Sequence, residues 1–270
     1  MSFLEWDFMQ RALVAGALVG LASPSIGIFI VQRRLALLGD GIGHVAFTGI
    51  AAGLLLGVAP IPVAILFASA GAVVIELLRE RNRTSGDVAL ALIFYGGIAG
   101  AALLLSLGNA STANLDAYLF GSVVTVRTAD LWLICVVAVA VVTIAVGLQK
   151  HLFAVAYDEE VARVSGLPVR TLNILTTVVA AVTIAVTSKV VGILLVASML
   201  VLPVAAVQQL TRSFRSTVYS SMALGVTVTT GGLIIAYYAD VKPAATIVFL
   251  AIAGFIVAAL VKRPLSGPTR

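Results

Sequence analysis

Charge is the scarcest feature of this sequence. Only 11% of its 270 residues are charged, against about 25% in soluble domains. So little polar surface cannot cover a water-exposed body of this size, which excludes a soluble globular domain. Lipid must be the solvent for most of the chain. The net charge of +5 is small; it points to no nucleic-acid partner and fits basic loops flanking membrane spans. A single cysteine, Cys135, lies inside an apolar run. It excludes an intrachain disulfide and a thiolate metal cluster, and reads as a small core residue. No G-x-x-x-x-G-K-[ST] loop is present, so any nucleotide must bind elsewhere and no enzymatic activity is expected. Met1–Gln10 holds Glu5 and Asp7 but no basic residue. The positive region of a secretory signal is missing, and the first apolar run is expected to stay in the mature protein. With no repeat, low-complexity stretch or long linker, residues 1–263 read as one transmembrane domain. Residues 264–270 read as a disordered tail.

What is abundant is apolar sequence. Hydrophobic residues make up 61% of the chain, and the mean hydropathy is +1.13. Long runs with few ionisable residues cover Ala12–Gln32, Gly41–Ile75, Val88–Leu115, Leu131–Gln149, Thr171–Ser188, Val190–Thr211, Ser216–Ala239 and Pro243–Val261. A spanning helix needs about 20 residues. Pro60 and Pro62 divide the second run in two. Thr171–Thr211 would reach about 60 Å as one helix, so a tight hairpin at Thr187–Lys189 is expected. The reading is all-α, with about nine transmembrane helices; eight are possible if one segment is re-entrant. Arg11, Arg127, Lys189 and Lys242 then fall on one side and the other thirteen of the 17 basic residues on the opposite side. The positive-inside rule makes the richer side cytoplasmic, with the N-terminus outside and the C-terminus inside. Leu115–Val126 reads as a short external interfacial or half helix.

Glycines at four-residue intervals mark close helix packing: Gly16 and Gly20, Gly49, Gly53 and Gly57, and Gly96 and Gly100. Ser23-Pro24-Ser25 predicts a kink in the first span, serving packing or lining a cavity.

Asp40 and His44 are the residues an apolar helix should not hold. They lie four apart and share a helix face. Asp at a helix centre costs about 2.5–3.5 kcal/mol to insert, and intramembrane ionisable groups usually face an interior or a water pathway. A carboxylate oxygen and an imidazole nitrogen one turn apart can both contact a divalent ion, and that pair suits zinc, manganese or iron rather than soft Cu(I). Gly41 and Gly43 leave room for the ion, whose remaining ligands would be water, other side chains or carbonyls. The competing readings are a structural Asp–His pair at the helix end, or Asp40 paired with Arg33 or Arg34. His151 reads as a solvated flanking residue.

Tyr157–Pro168 is the longest polar stretch on the basic side. Acidic residues in its first turn, Arg163 later, Gly166 and then Pro168 predict a short helix. Val161, Val164 and Leu167 would form one apolar face, fit for a groove on a partner or for an interfacial connector.

These residues together resemble a known family, the ABC-3 metal-ion (zinc/manganese/iron chelate) permeases of bacterial ABC importers. Arg33-Arg34-Leu35-Ala36-Leu37-Leu38-Gly39-Asp40-Gly41-Ile42-Gly43-His44 is similar to its R-R-x-S-L-x-G-D-A-x-S-H. Asp158–Leu167 resembles its D-P-E-x-A-x-x-x-G-[IL] coupling helix. Leu119-Phe120-Gly121-Ser122 fits its L-F-G-S element, and Val191–Ala206 its V-G-x-L-L-V run. The resemblance implies a type II ABC importer-like permease in the bacterial inner membrane, forming a homodimer around a central pathway. It also implies an ATP-binding subunit gripping the helix at Asp158, Glu159, Glu160, Ala162, Arg163, Gly166 and Leu167, and an extracellular solute-binding protein delivering the metal. The permease would have no cofactor of its own: Zn2+ or Mn2+ is carried, and ATP is bound by the partner. Asp40 and His44 match the family residues implicated in holding the ion. Gly41 and Gly43 replace the family's Ala and Ser, Phe47-Thr48-Gly49 replaces its Leu-Pro-Gly, and Glu159 stands where proline is frequent. The rivals are a secondary transporter or channel using the pair as a proton relay, and a membrane scaffold.

Overall fold

The structure is a computed structural model describing residues 7–80, 86–107, 118–121 and 127–265. Those residues form eleven α-helices and no strand. They are α1 (Asp7–Gln32), α2 (Leu38–Leu55), α3 (Pro60–Glu80), α4 (Gly86–Leu107), α5 (Thr128–Gly147), α6 (Gln149–Tyr157), α7 (Glu159–Val164), α8 (Val169–Val191), α9 (Ile193–Gln208), α10 (Phe214–Ala239) and α11 (Pro243–Leu265). Among the described residues, eight helices are long and apolar enough to cross a bilayer. The apolar Ile193–Gln208 segment is the shorter ninth. At 16 residues it reaches only about 24 Å.

The break before α9 is not at Thr187–Lys189. α8 runs through these residues, and their hydroxyls are satisfied within the helix: Thr187 donates to Thr183 O at 2.7 Å and Ser188 to Ala185 O at 2.8 Å. The helix stops at Gly192, whose φ of +84° only glycine adopts without strain. A Cβ there would lie 2.5 Å from Leu119 O and Gly121 N. Two of the family-like motifs, one at Leu119–Gly121 and one at Val191–Ala206, therefore meet backbone to backbone. The rest of the expected 115–126 helix lies outside the described residues. α11 continues through Leu265, into the expected tail, and residues 266–270 lie outside the described set.

α1 and α8 form the centre: 72% of their apolar windows are buried, against 17% for α4 and 22% for α5 and α11. Close packing depends on small residues, since apolar surface alone gives no preference for helix over lipid. Gly16 and Gly20 of α1 face Leu233 and Gly225 of α10, while Gly49 and Gly53 of α2 face Ala64 and Pro60 of α3. Two expected members of these stripes do other things. Gly57 lies in the turn after α2 at φ +67°, and Gly96 faces open space. The α4 contact is made by Gly97 and Gly100. Pro24 lies within the continuous helix α1 and meets Gly225, where a Cβ would clash with the proline ring at 2.7 Å.

Candidate functional site

Asp40 and His44 sit in the first two turns of α2, both half-buried. The turn before them is tightly specified. Arg34 takes a left-handed conformation at φ +59°, and Leu35 N–H closes back on Ile30 O at 3.0 Å. α1 is thereby capped and α2 launched within five residues. The Asp40 carboxylate makes no hydrogen bond or ion pair with any described residue. The reading that pairs it with Arg33 or Arg34 does not hold.

The His44 ring meets Phe94 of α4 edge-on, with centroids 4.6 Å apart and planes at 80°. α4 comes this close because Gly97 lies against the His44 backbone; a Cβ there would sit 2.7 Å from His44 C. One turn on, Thr48 Oγ1 donates to Gly97 O at 2.7 Å and lies 3.2 Å from His44 O. Thr48 is therefore the polar tie between α2 and α4 where the family pattern has proline. Among the described residues no cluster of three or more His, Cys, Asp or Glu occurs. The pair can supply two ligands to a divalent cation and must leave the rest to water, carbonyls or another chain.

The loop helix α7 forms as its sequence predicts. Asp158 caps it, Oδ1 accepting from Glu160 N and Val161 N at 3.0 Å each. Gly166 ends it at φ +82°, with Leu167 N–H donating to Ala162 O at 3.1 Å. Its faces differ from the expected ones. Val161 and Val164 are exposed, Val164 at 90%, together with Tyr157 on the preceding α6. Leu167 packs on the core instead of joining them, and Ala162 is buried at 2%. Glu160, Arg163 and Gly166 remain on or near the surface. Helix α6 was not expected; it carries His151, which is exposed.

Glu159 turns inward, accepting from Asn173 Nδ2 of α8 at 3.1 Å and standing 3.8 Å from Arg33 Nη2. Arg33 in turn pairs with Glu76 of α3 at 2.9 Å, their side chains 4% and 8% exposed. Glu76 also receives Thr177 Oγ1 at 3.1 Å and Arg79 at 3.3 Å. Burial pulls the Arg33 guanidinium below its ordinary pKa, while the Glu76 charge opposes this. This network was missed in the sequence, where Glu76 merely ends an apolar run. A carboxylate one residue past Ile75, with an arginine three positions on, was the available signal. A separate ion pair, Lys189 with Asp130 at 2.5 Å, lies at the far end of α8. It borders a cavity of 720 Å³ that Tyr118, Arg127 and Pro60 also line.

Among the described residues, an all-helical bundle with eight helices long and apolar enough to cross a bilayer reads as a polytopic membrane protein. Residues 5–262 match the ABC 3 transport family, and the chain belongs to that family. It is a polytopic membrane protein of an ABC transport family. A Treponema pallidum (strain Nichols) protein named "Probable metal transport system membrane protein" is 34% identical, over 89% of this chain and 90% of that protein. The manganese transport system membrane protein MntC of Listeria innocua is 29% identical over 95% and 91%. Among solved structures, PsaBC from Streptococcus pneumoniae in complex with Fab matches with a TM-score of 0.85 at 27% identity, covering 94% of this chain and 92% of that one.

Proposed function

We propose that this protein is the permease subunit of an ABC importer that carries a divalent transition-metal ion, Mn2+ or Zn2+, into the cytoplasm. The observation that carries the reading is the Asp40–His44 pair: two ligand-capable side chains one helical turn apart, half-buried, the carboxylate bonded to nothing described around it. A carboxylate in an apolar helix is costly, and a visiting cation offsets that cost. Asp40 and His44 replace part of the ion's water shell as it passes. Carboxylate and imidazole accept either metal, and the name of the Listeria relative favours manganese.

The remaining assignments follow from this reading. The Arg33 end, with Arg79, Arg163 and Arg170 beside α7, is cytoplasmic by the positive-inside rule. The N-terminus is then external and the C-terminus internal, with residues 1–263 forming one membrane domain. A separate ATP-binding subunit docks on α7, an extracellular solute-binding protein delivers the ion, and two copies of the chain enclose the pathway. ATP stays on the partner.

The test is Mn2+ and Zn2+ uptake into vesicles holding the permease with its ATP-binding subunit. ATP-dependent uptake is expected, with Asp40→Ala and His44→Ala each abolishing it while the complex stays assembled. Equal flux without the ATP-binding subunit identifies a secondary transporter or channel. Normal transport by both variants rejects the ion site.

A further inference from the structure

The Arg33 network touches neither the ion pair of side chains nor the outer surface of α7, yet it joins the elements that carry both. Glu159 belongs to α7. Arg33 opens the turn that launches α2, and Asp40 follows within two turns. Glu76 anchors the arginine to α3, and Thr177 of α8 donates in turn to the Glu76 carboxylate. Three features distinguish this cluster from a static clamp. Arg33 Nε and Nη1 are buried and have no hydrogen-bond partner among the described residues, although a buried charged donor left unmet is costly. The Glu159 carboxylate stands 3.8 Å from Nη2, the nitrogen that already donates to Glu76, just outside hydrogen-bond range, and its side chain is 43% exposed. Asn173 holds it at that distance by a single bond of 3.1 Å. An inward displacement of α7 by about 1 Å turns the long ion pair into a charge-assisted hydrogen bond. An outward displacement leaves Arg33 to Glu76 alone.

We infer that Arg33 is a positioning residue: it senses where α7 stands through Glu159 and sets the α1–α2 turn, and thereby Asp40, accordingly. Packed helices respond to such shifts as bistable units rather than by continuous deformation. The inference rests on the transport reading above and adds to it the route by which movement of the loop helix reaches the ion site.

The experiment uses the complete complex in vesicles with Mn2+ alone as the probe. Arg33→Lys keeps a cation beside Glu76 but removes the Nη2 that faces both Glu76 and Glu159. Asn173→Ala releases Glu159 and leaves the Arg33–Glu76 pair intact. Each should keep ATP hydrolysis within about twofold of the unmodified complex while Mn2+ imported per ATP falls about tenfold. The double variant should be no worse than Arg33→Lys, since both act on one route. Unchanged ions per ATP in both single variants, or deficits that multiply in the double, overturn the inference. Amide hydrogen exchange across residues 33–40 supplies a readout independent of transport. ATP should alter it in the unmodified complex and leave it unaltered in Asn173→Ala, and identical responses in the two also overturn the inference. If the unmodified complex imports no Mn2+ but this exchange difference appears, the transport reading fails while the linkage stands.

Discussion

Replacing Gly97 with alanine should loosen the contact that seats His44, and the neighbouring Gly96→Ala should not. A Cβ on Gly97 would meet His44 C and Val45 N at 2.7 Å and His44 Cβ at 3.0 Å. Ordinary contacts start near 3.4 Å, so α2 and α4 must separate locally by about 0.7 Å, because backbone atoms cannot rotate away. Overpacking of this kind costs about 1–3 kcal/mol. The same movement stretches the 2.7 Å bond from Thr48 to Gly97 O, a loss of about 0.6 kcal/mol by the average for hydrogen bonds between membrane helices. Gly96 faces open space, so alanine there gains helix propensity, about 0.5–1 kcal/mol. Thermal unfolding in detergent should therefore separate two substitutions one residue apart: a lower midpoint for Gly97→Ala, an equal or higher one for Gly96→Ala. Because His44 moves with its backbone, Mn2+ uptake by Gly97→Ala should fall about tenfold, the scale set by misplacing a ligand by a fraction of an ångström. Equal midpoints and equal uptake for the two variants would refute the argument that Gly97 sets the His44 position.

The other expectations are simpler. Asp40→Ala should leave the unfolding midpoint unchanged or raise it while abolishing uptake, since the carboxylate has no bonded partner among the described residues and is costly in its helix; a large drop in midpoint would give it a structural role. Glu76→Ala strands the Arg33 guanidinium at 4% exposure and should destabilise the fold by about 3–5 kcal/mol, read as a lower midpoint and lower yield of folded protein. Val164→Asp changes a side chain that is 90% exposed, so stability should hold while co-purification with the ATP-binding subunit is lost.

Much of the bundle was legible in advance because lipid imposes length and composition on each segment directly. The apolar runs, the Asp40–His44 spacing, and the Asp158 cap and Gly166 stop of α7 are local properties, governed by residues a few positions apart, and the sequence alone determined them. Partner choice was not legible. The four-residue spacing picked Gly96 with Gly100, and only the crossing of α4 over α2 decides that the neighbouring Gly97 meets His44. Thr187–Lys189 looked like a loop, but α8 runs through it with its hydroxyls bonded within the helix, and stops where Gly192 meets the Leu119–Gly121 backbone. Glu76 looked like the polar end of a span, and Arg33 could have reached Asp40. Tertiary packing assigned Arg33 to Glu76, because a buried guanidinium takes the carboxylate that neighbouring helices bring to it, and that choice leaves Asp40 with no ion pair to an arginine among the described residues.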